Sequence, residues 1–155
     1  MKHLFLIIVL PFMLSSQIGN EQNLENKWHY NIQAAKTIAN QQHKNILVYF
    51  TGSDWCPPCK VLKKDFFDTT EFSDAAKNYV LVYIDMPRNK KLLTNKQLQH
   101  NKELTAEYNK KGIFPLLKIL DNQGKSLGQY SGYSMNGDTK PHFRLLKKYG
   151  ESKAF

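Results

Sequence analysis

Asn45-Ile46-Leu47-Val48-Tyr49-Phe50-Thr51-Gly52-Ser53-Asp54-Trp55-Cys56-Pro57-Pro58-Cys59-Lys60 is the stretch on which the rest of the chain turns. Ile46 to Phe50 is a short β-branched and aromatic run, the pattern of a strand buried on both faces. Thr51 to Asp54 form a loop. Pro57 or Pro58 then opens a helix, because the first helical turn has no use for the N–H groups that proline lacks. The two cysteines of the chain thus sit where a strand and loop hand over to a helix N-terminus. That position lowers a thiol pKa, because unpaired N–H groups and the positive end of the helix favour the thiolate, the working nucleophile. Two intervening residues bring both sulfurs within one helical turn, so Cys59 can resolve a mixed disulfide formed at Cys56. Neither Pro57 nor Pro58 can donate to the sulfur of Cys56. The N–H groups of Cys59 and Lys60 are the near candidates, and the prolines stiffen the turn.

Other uses of a cysteine pair fit less well. A structural zinc site needs four ligands, and there is no second Cys-x-x-Cys. His29, His43, His100 and His142 are scattered without ligand spacing, so no metal is expected. A purely structural disulfide across two residues closes too small a loop to restrict the unfolded chain much.

Outward from the cysteines, Asn31 to Gln42 reads as a helix, with Ile32, Ala35, Ile38 and Ala39 at three- and four-residue spacing. The helix opened by the prolines runs to about Phe67, with a second piece over Glu71 to Asn78. Tyr79 to Asp85 is the next strand, and Pro87 to Asn95 a polar, basic surface loop. Leu98 to Lys111 reads as a helix stopped by Gly112. Leu116 to Asp121 and Ser126 to Tyr130 flank Asn122-Gln123-Gly124-Lys125, a hairpin turn in which glycine supplies the positive φ. A last helix spans Thr139 to Tyr149. Crossover helices imply parallel strands, and the hairpin adds an antiparallel edge. Tyr130, Tyr133 and Phe143 read as packing the core or its edge. Asp54 reads as a loop cap or as a group tuning the thiol. Gly124-Lys125-Ser126 lacks the earlier glycine of a phosphate loop, Ile119 standing in its place.

The quoted stretch resembles the thioredoxin superfamily, and more narrowly its exported thioredoxin-like members with an aromatic–Cys-x-x-Cys site. The resemblance runs from about Trp28 to Tyr149. It is carried further by Val82-Tyr83-Ile84-Asp85, by Tyr108-Asn109-Lys110-Lys111-Gly112-Ile113-Phe114-Pro115, by Leu120-Asp121-Asn122-Gln123-Gly124-Lys125 and by Gly132-Tyr133. It implies an α/β thioredoxin-like fold, a central mixed sheet flanked by helices. It implies that Cys56 is the attacking, more exposed thiol and Cys59 the buried resolving one, with no cofactor beyond their own disulfide. Pro115 matches the family's cis-proline. The backbone at Phe114 would pair with an extended substrate segment, a form of strand addition. Trp55, Pro57, Pro58 and Gly132 would complete the groove. Two departures stand out. Tyr49 takes the place of the buried acid that in thioredoxins proper is thought to shuttle the proton of the buried cysteine, and tyrosine is a poor base at neutral pH. Deprotonation of Cys59 is then left to water, the substrate or Lys60. Pro-Pro replaces the Gly-Pro of thioredoxin, which leaves the direction of exchange open.

Length and charge set the context. At 155 residues, 41% hydrophobic and 23% charged, the chain is expected to hold one domain with a real core. Met1-Lys2-His3, the apolar Leu4 to Leu14, and Ser15 to Gly19 follow the three-part pattern of a secretory signal. The apolar run is about half the roughly 20 residues needed to span a bilayer. Residues 1–19 are therefore expected to be cleaved, leaving 20–155 as an exported domain, periplasmic or extracellular, not stably inserted in the membrane. The net charge of +9 comes with paired lysines such as Lys90–Lys91 and Lys110–Lys111, expected to be solvated faces rather than a nucleic-acid site. The expected activity is thiol–disulfide exchange with disulfide-containing protein substrates. It runs either as a reductase fed by a membrane thiol–disulfide transporter or as a disulfide-donating oxidase or isomerase. A binding or chaperone module and a metallochaperone are the readings from other classes.

Overall fold

Residues 45–51 and 79–85 are the most apolar short runs of the described residues, and they lie side by side at the centre of the sheet. The computed structural model describes residues 27–150. The expected signal at 1–19, and the ends of the expected domain, lie outside the described residues. The order is β1 (Trp28–His29), α1 (Ile32–Gln42), β2 (Asn45–Thr51), α2 (Pro57–Leu62), a π-helical turn (Lys63–Phe67) and α3 (Thr70–Ala76). Then come β3 (Tyr79–Asp85), a 3-10 turn (Lys90–Leu92), α4 (Asn95–Tyr108), β4 (Leu116–Leu120), β5 (Ser126–Ser131) and α5 (Lys140–Tyr149). The sheet order is β1-β3-β2-β4-β5. Strands β1, β3 and β2 are parallel, while β4 and β5 run antiparallel to their neighbours. Among the described residues no helix is long and apolar enough to cross a membrane.

Alternate residues of the central strands face opposite layers. Ile46, Val48 and Phe50 of β2 pack with Val80, Val82 and Ile84 against α1 and α4. Leu47 and Tyr49 pack with Leu81, Leu117 and Ile119 against Leu62, Phe66, Phe72 and Leu146 on the other face. Each strand must therefore be apolar throughout, as the sequence pattern requires.

The differences from expectation are local. β1 was not anticipated, because two residues show no periodicity; it pairs Trp28 with Leu81 at the sheet edge. Helix α4 begins at Asn95 rather than Leu98, since the Thr94 hydroxyl accepts the Gln97 N–H at 3.2 Å and caps it. It ends at Tyr108 rather than Lys111, where the Asn109 side chain brackets Ile113 by bonding both its N–H and its carbonyl. The 87–95 loop contains the 3-10 turn. The hairpin turn is organised by Asp121, whose carboxylate accepts the N–H groups of Gln123 and Lys125.

His142 on α5 is an exception to core chemistry. It is 1% exposed, packed against the rings of Phe66, Tyr130 and Tyr133, and neither ring nitrogen has a hydrogen-bond partner. Burial pushes its pKa below the ordinary value. The Gly132 backbone, short of bonding geometry, and the charge of Asp138 oppose the shift. The folded state thus binds the proton less well than the unfolded chain, and His142 lowers stability as the pH falls through the ordinary histidine value of about 6.5. Thermal unfolding followed by circular dichroism should show a melting temperature that declines from pH 7 to about pH 5. His142→Phe should keep the stability seen at pH 8 and flatten that decline; an unchanged slope would refute the assignment.

Candidate active site

Cys56 caps α2 in an extended conformation (φ −98°, ψ 98°), and its sulfur is bonded to that of Cys59. The Cys59 N–H is shared between the Cys56 sulfur at 3.3 Å and the Cys56 carbonyl at 3.1 Å, and the Lys60 N–H goes to that carbonyl at 3.2 Å. Of the two donors the prolines leave, one reaches the sulfur. Pro57 and Pro58 fill the first helical positions, where their missing N–H groups leave no gap in the helix. The expected contrast in exposure is absent from this disulfide form: Cys56 and Cys59 are each 2% exposed. The cause is local, since the bond to Cys59 and the N–H of the same residue turn the Cys56 side chain into its own helix.

The loop before Cys56 is stitched to the end of β3. Asp85, 7% exposed, accepts the Ser53 N–H at 2.9 Å and the Ser53 hydroxyl at 2.5 Å. The Trp55 indole donates to the Met86 carbonyl at 2.7 Å. Asp54 accepts the N–H groups of Arg88 at 3.0 Å and Asn89 at 2.8 Å. These bonds, the Asn89 N–H foremost, with help from the Lys60 charge, hold the Asp54 carboxyl below its usual range. Asp54 is thus a loop cap. A Cβ on Gly52 would land on the Trp55 indole, so glycine is what lets the ring lie flat over the loop. Sequence reasoning missed Asp85 and Ser53 as anchors. The available signal was an acid closing an otherwise apolar buried strand, a residue type rarely buried unless paired.

The Phe114–Pro115 bond is cis. The Phe114 ring meets Trp55 edge-on at 5.6 Å, and the Gly132 N–H donates to the Pro115 carbonyl at 2.8 Å. Trp55, Phe114, Pro115 and Gly132 are thereby brought into one neighbourhood, with Pro57 and Pro58 on the adjoining helical turn. On another side of Cys59, a cleft of about 380 Å³ is lined by Trp28, Tyr49, Thr51, Ser53, Lys60 and Tyr83 among others. The Tyr49 hydroxyl donates to the Cys59 carbonyl at 3.3 Å. Burial pushes the Tyr49 pKa far upward, so it holds backbone and does not serve as a base. Burial likewise pushes Tyr83 up to about 12. Lys60 donates to the Asp54 carbonyl at 3.0 Å. Among the described residues, no group of three or more His, Cys, Asp or Glu side chains is placed to hold a metal ion. His142 lies in the core, apart from the histidines on other elements.

A family model described as thioredoxin-like matches residues 27–122. The chain is 31% identical over 134 residues to the disulfide bond reductase DsbH of Chlamydia pneumoniae, covering 80% of this chain and 79% of that protein. A solved structure of a DsbH oxidoreductase superposes with a TM-score of 0.68 at 30% identity, covering 78% of this chain and 82% of the other. The thioredoxin-related protein DsbJ of Chlamydia pneumoniae is 24% identical over 87% of this chain, which spans 42% of that protein. A buried Cys-x-x-Cys disulfide at a helix N-terminus, the mixed sheet beneath it and these matches lead to one assignment: the chain belongs to the thioredoxin-like family of thiol–disulfide oxidoreductases.

Proposed function

We propose that this oxidoreductase is exported and works as a reductant of protein disulfides, with Cys56 as nucleophile and Cys59 as resolving thiol. The observation that carries the roles is the Cys59 N–H aimed at the Cys56 sulfur from the first turn of the helix. A thiolate at Cys56 gains that bond and the positive helix end, and the helix continues through the π-helical turn to Phe67. The direction is supported by similarity to a relative named a disulfide bond reductase. Export is supported by the charged, apolar and polar order of residues 1–19.

The Cys56 thiolate attacks one sulfur of a substrate disulfide, forming a Cys56–substrate disulfide and releasing the other substrate sulfur as a thiolate that takes up a proton. Cys59 loses its proton, and its thiolate attacks the Cys56 sulfur. The Cys56–Cys59 disulfide forms, and the second substrate thiolate leaves. Two electrons and two protons pass to the substrate. A dithiol, of the class presented by membrane thiol–disulfide transporters, must return them. Tyr49 is held protonated by burial, so the proton of the resolving thiol is left to water, the substrate or Lys60. Throughout, Asp85 acts as a positioning residue, fixing the 52–55 loop from which Trp55 and Cys56 project.

Three outcomes test this reading. Cys59→Ala should accumulate mixed disulfides at Cys56 with protein substrates on non-reducing gels, and the intact pair should show a potential near the thioredoxin value of about −270 mV. A value near the strong oxidants, about −120 mV, would reverse the direction. Tyr49→Phe should leave stopped-flow resolution of the mixed disulfide within about twofold, whereas loss of an acting base removes about a hundredfold or more. Asp85→Ala should cost about 1–3 kcal/mol in urea unfolding, because the Ser53 N–H loses its buried acceptor, and should slow reduction of a peptide disulfide. Unchanged stability and rate would show that the loop is fixed elsewhere.

A further inference from the structure

A positive charge is fixed against Trp55, the residue that precedes Cys56. The Arg88 guanidinium lies 5.0 Å from the centre of the Trp55 ring, at cation–π distance. The segment carrying it is anchored, since the N–H groups of Arg88 and Asn89 both donate to Asp54. The Asn89 side chain in turn accepts the Lys91 N–H at 3.1 Å and caps the 3-10 turn. Lys90 and Lys91 are therefore held out, exposed, by a segment tied to the same loop that carries Cys56. Beyond Phe114, Lys110 and Lys111 are exposed on the turn leading into Pro115. Asp54, the acid next to Trp55, spends both carboxylate oxygens on backbone N–H groups. Arg88, Lys90 and Lys91 pair with no described carboxylate.

We propose that this rim selects, among disulfide-bearing protein segments, those with acidic residues beside the reacting cystine. The inference rests on the oxidoreductase reading and adds the class of substrate. A single exposed ion pair contributes little. Several cations of one sign carried on one anchored segment act together on approach and on partner choice. Arg88 is tied to Trp55, the residue next to Cys56, and the segment continuing to Lys90 and Lys91 is anchored on Asp54 of the same loop, which favours a substrate segment over a lipid surface as the counterpart.

The test uses two synthetic peptides, each with one intramolecular disulfide, identical except that the cysteines are flanked by Glu in one and Lys in the other. Rates of reduction by the purified reduced protein are measured, and the ratio of the acidic to the basic peptide is compared between wild type and Lys90→Glu/Lys91→Glu. The double ratio cancels the reactivity of the peptides themselves. The acidic-to-basic ratio should be about tenfold lower in the variant than in wild type at low salt, and the double ratio should approach one in high salt. A change below about twofold overturns the proposal. Loss of binding to phosphatidylglycerol vesicles in the variant, with no change in peptide preference, also overturns it and assigns the rim to lipid headgroups. Hydroxyethyl disulfide separates this inference from its foundation. If that neutral probe is reduced while the peptides are not distinguished, the selectivity alone fails; if neither probe nor peptide is reduced, the oxidoreductase reading fails and takes the selectivity with it.

Discussion

Strand β2 is bonded along both edges, parallel to β3 and antiparallel to β4, and it is covered on both faces. Its C-terminal end consequently has one position, and the chemistry is hung from that point. Thr51 is in register with Asp85 at the corresponding end of β3, so the first residues of the following loop meet a carboxylate that is equally fixed. The site then lies beyond the carboxyl ends of adjacent parallel strands, where open α/β sheets bind their partners. Removing the pairing of β2 with β3 would leave Ser53, Trp55 and Cys56 without the frame that gives their bonds direction.

Against that frame, the proline pair narrows the electrostatics of the sulfur to one backbone donor. A first turn with free N–H groups can offer several to a capping thiolate. Here the Cys59 N–H reaches the sulfur, and the Lys60 N–H is spent on a carbonyl. Tyr49 makes a parallel substitution behind the pair. Where thioredoxins proper carry an acid, a phenol holds the Cys59 carbonyl and the site borders a cleft. The two departures touch different cysteines: the prolines limit the donors near the Cys56 sulfur, and Tyr49 holds the Cys59 carbonyl.

Much of this was legible in residue order because it depends on local rules. The runs 46–50 and 79–85 announce strands buried on both faces, and Cys-Pro-Pro-Cys after a loop announces a helix start bearing two sulfurs. What was hidden depends on distant partners. β1 is two residues long and exists because Trp28 finds Leu81 and a nest of rings including Phe67, Phe72 and Tyr83. The π-helical turn places both Phe66 and Phe67 against that layer, a phase shift that helical periodicity does not foresee. Asp85 reads as an ordinary strand end until Ser53 is seen beside it. The near-equal burial of the two cysteines reflects a covalent bond, which residue spacing permits and does not dictate.

That shared burial has a consequence for traffic through the oxidised protein. With each cysteine 2% exposed, a small ambient thiol meets almost no sulfur in a grazing collision. Exchange with the closed pair therefore requires the packing around the two sulfurs to open. The enclosure acts on kinetics rather than on equilibrium: it shields the closed sulfur pair from casual thiols and favours molecules that can open the packing around it.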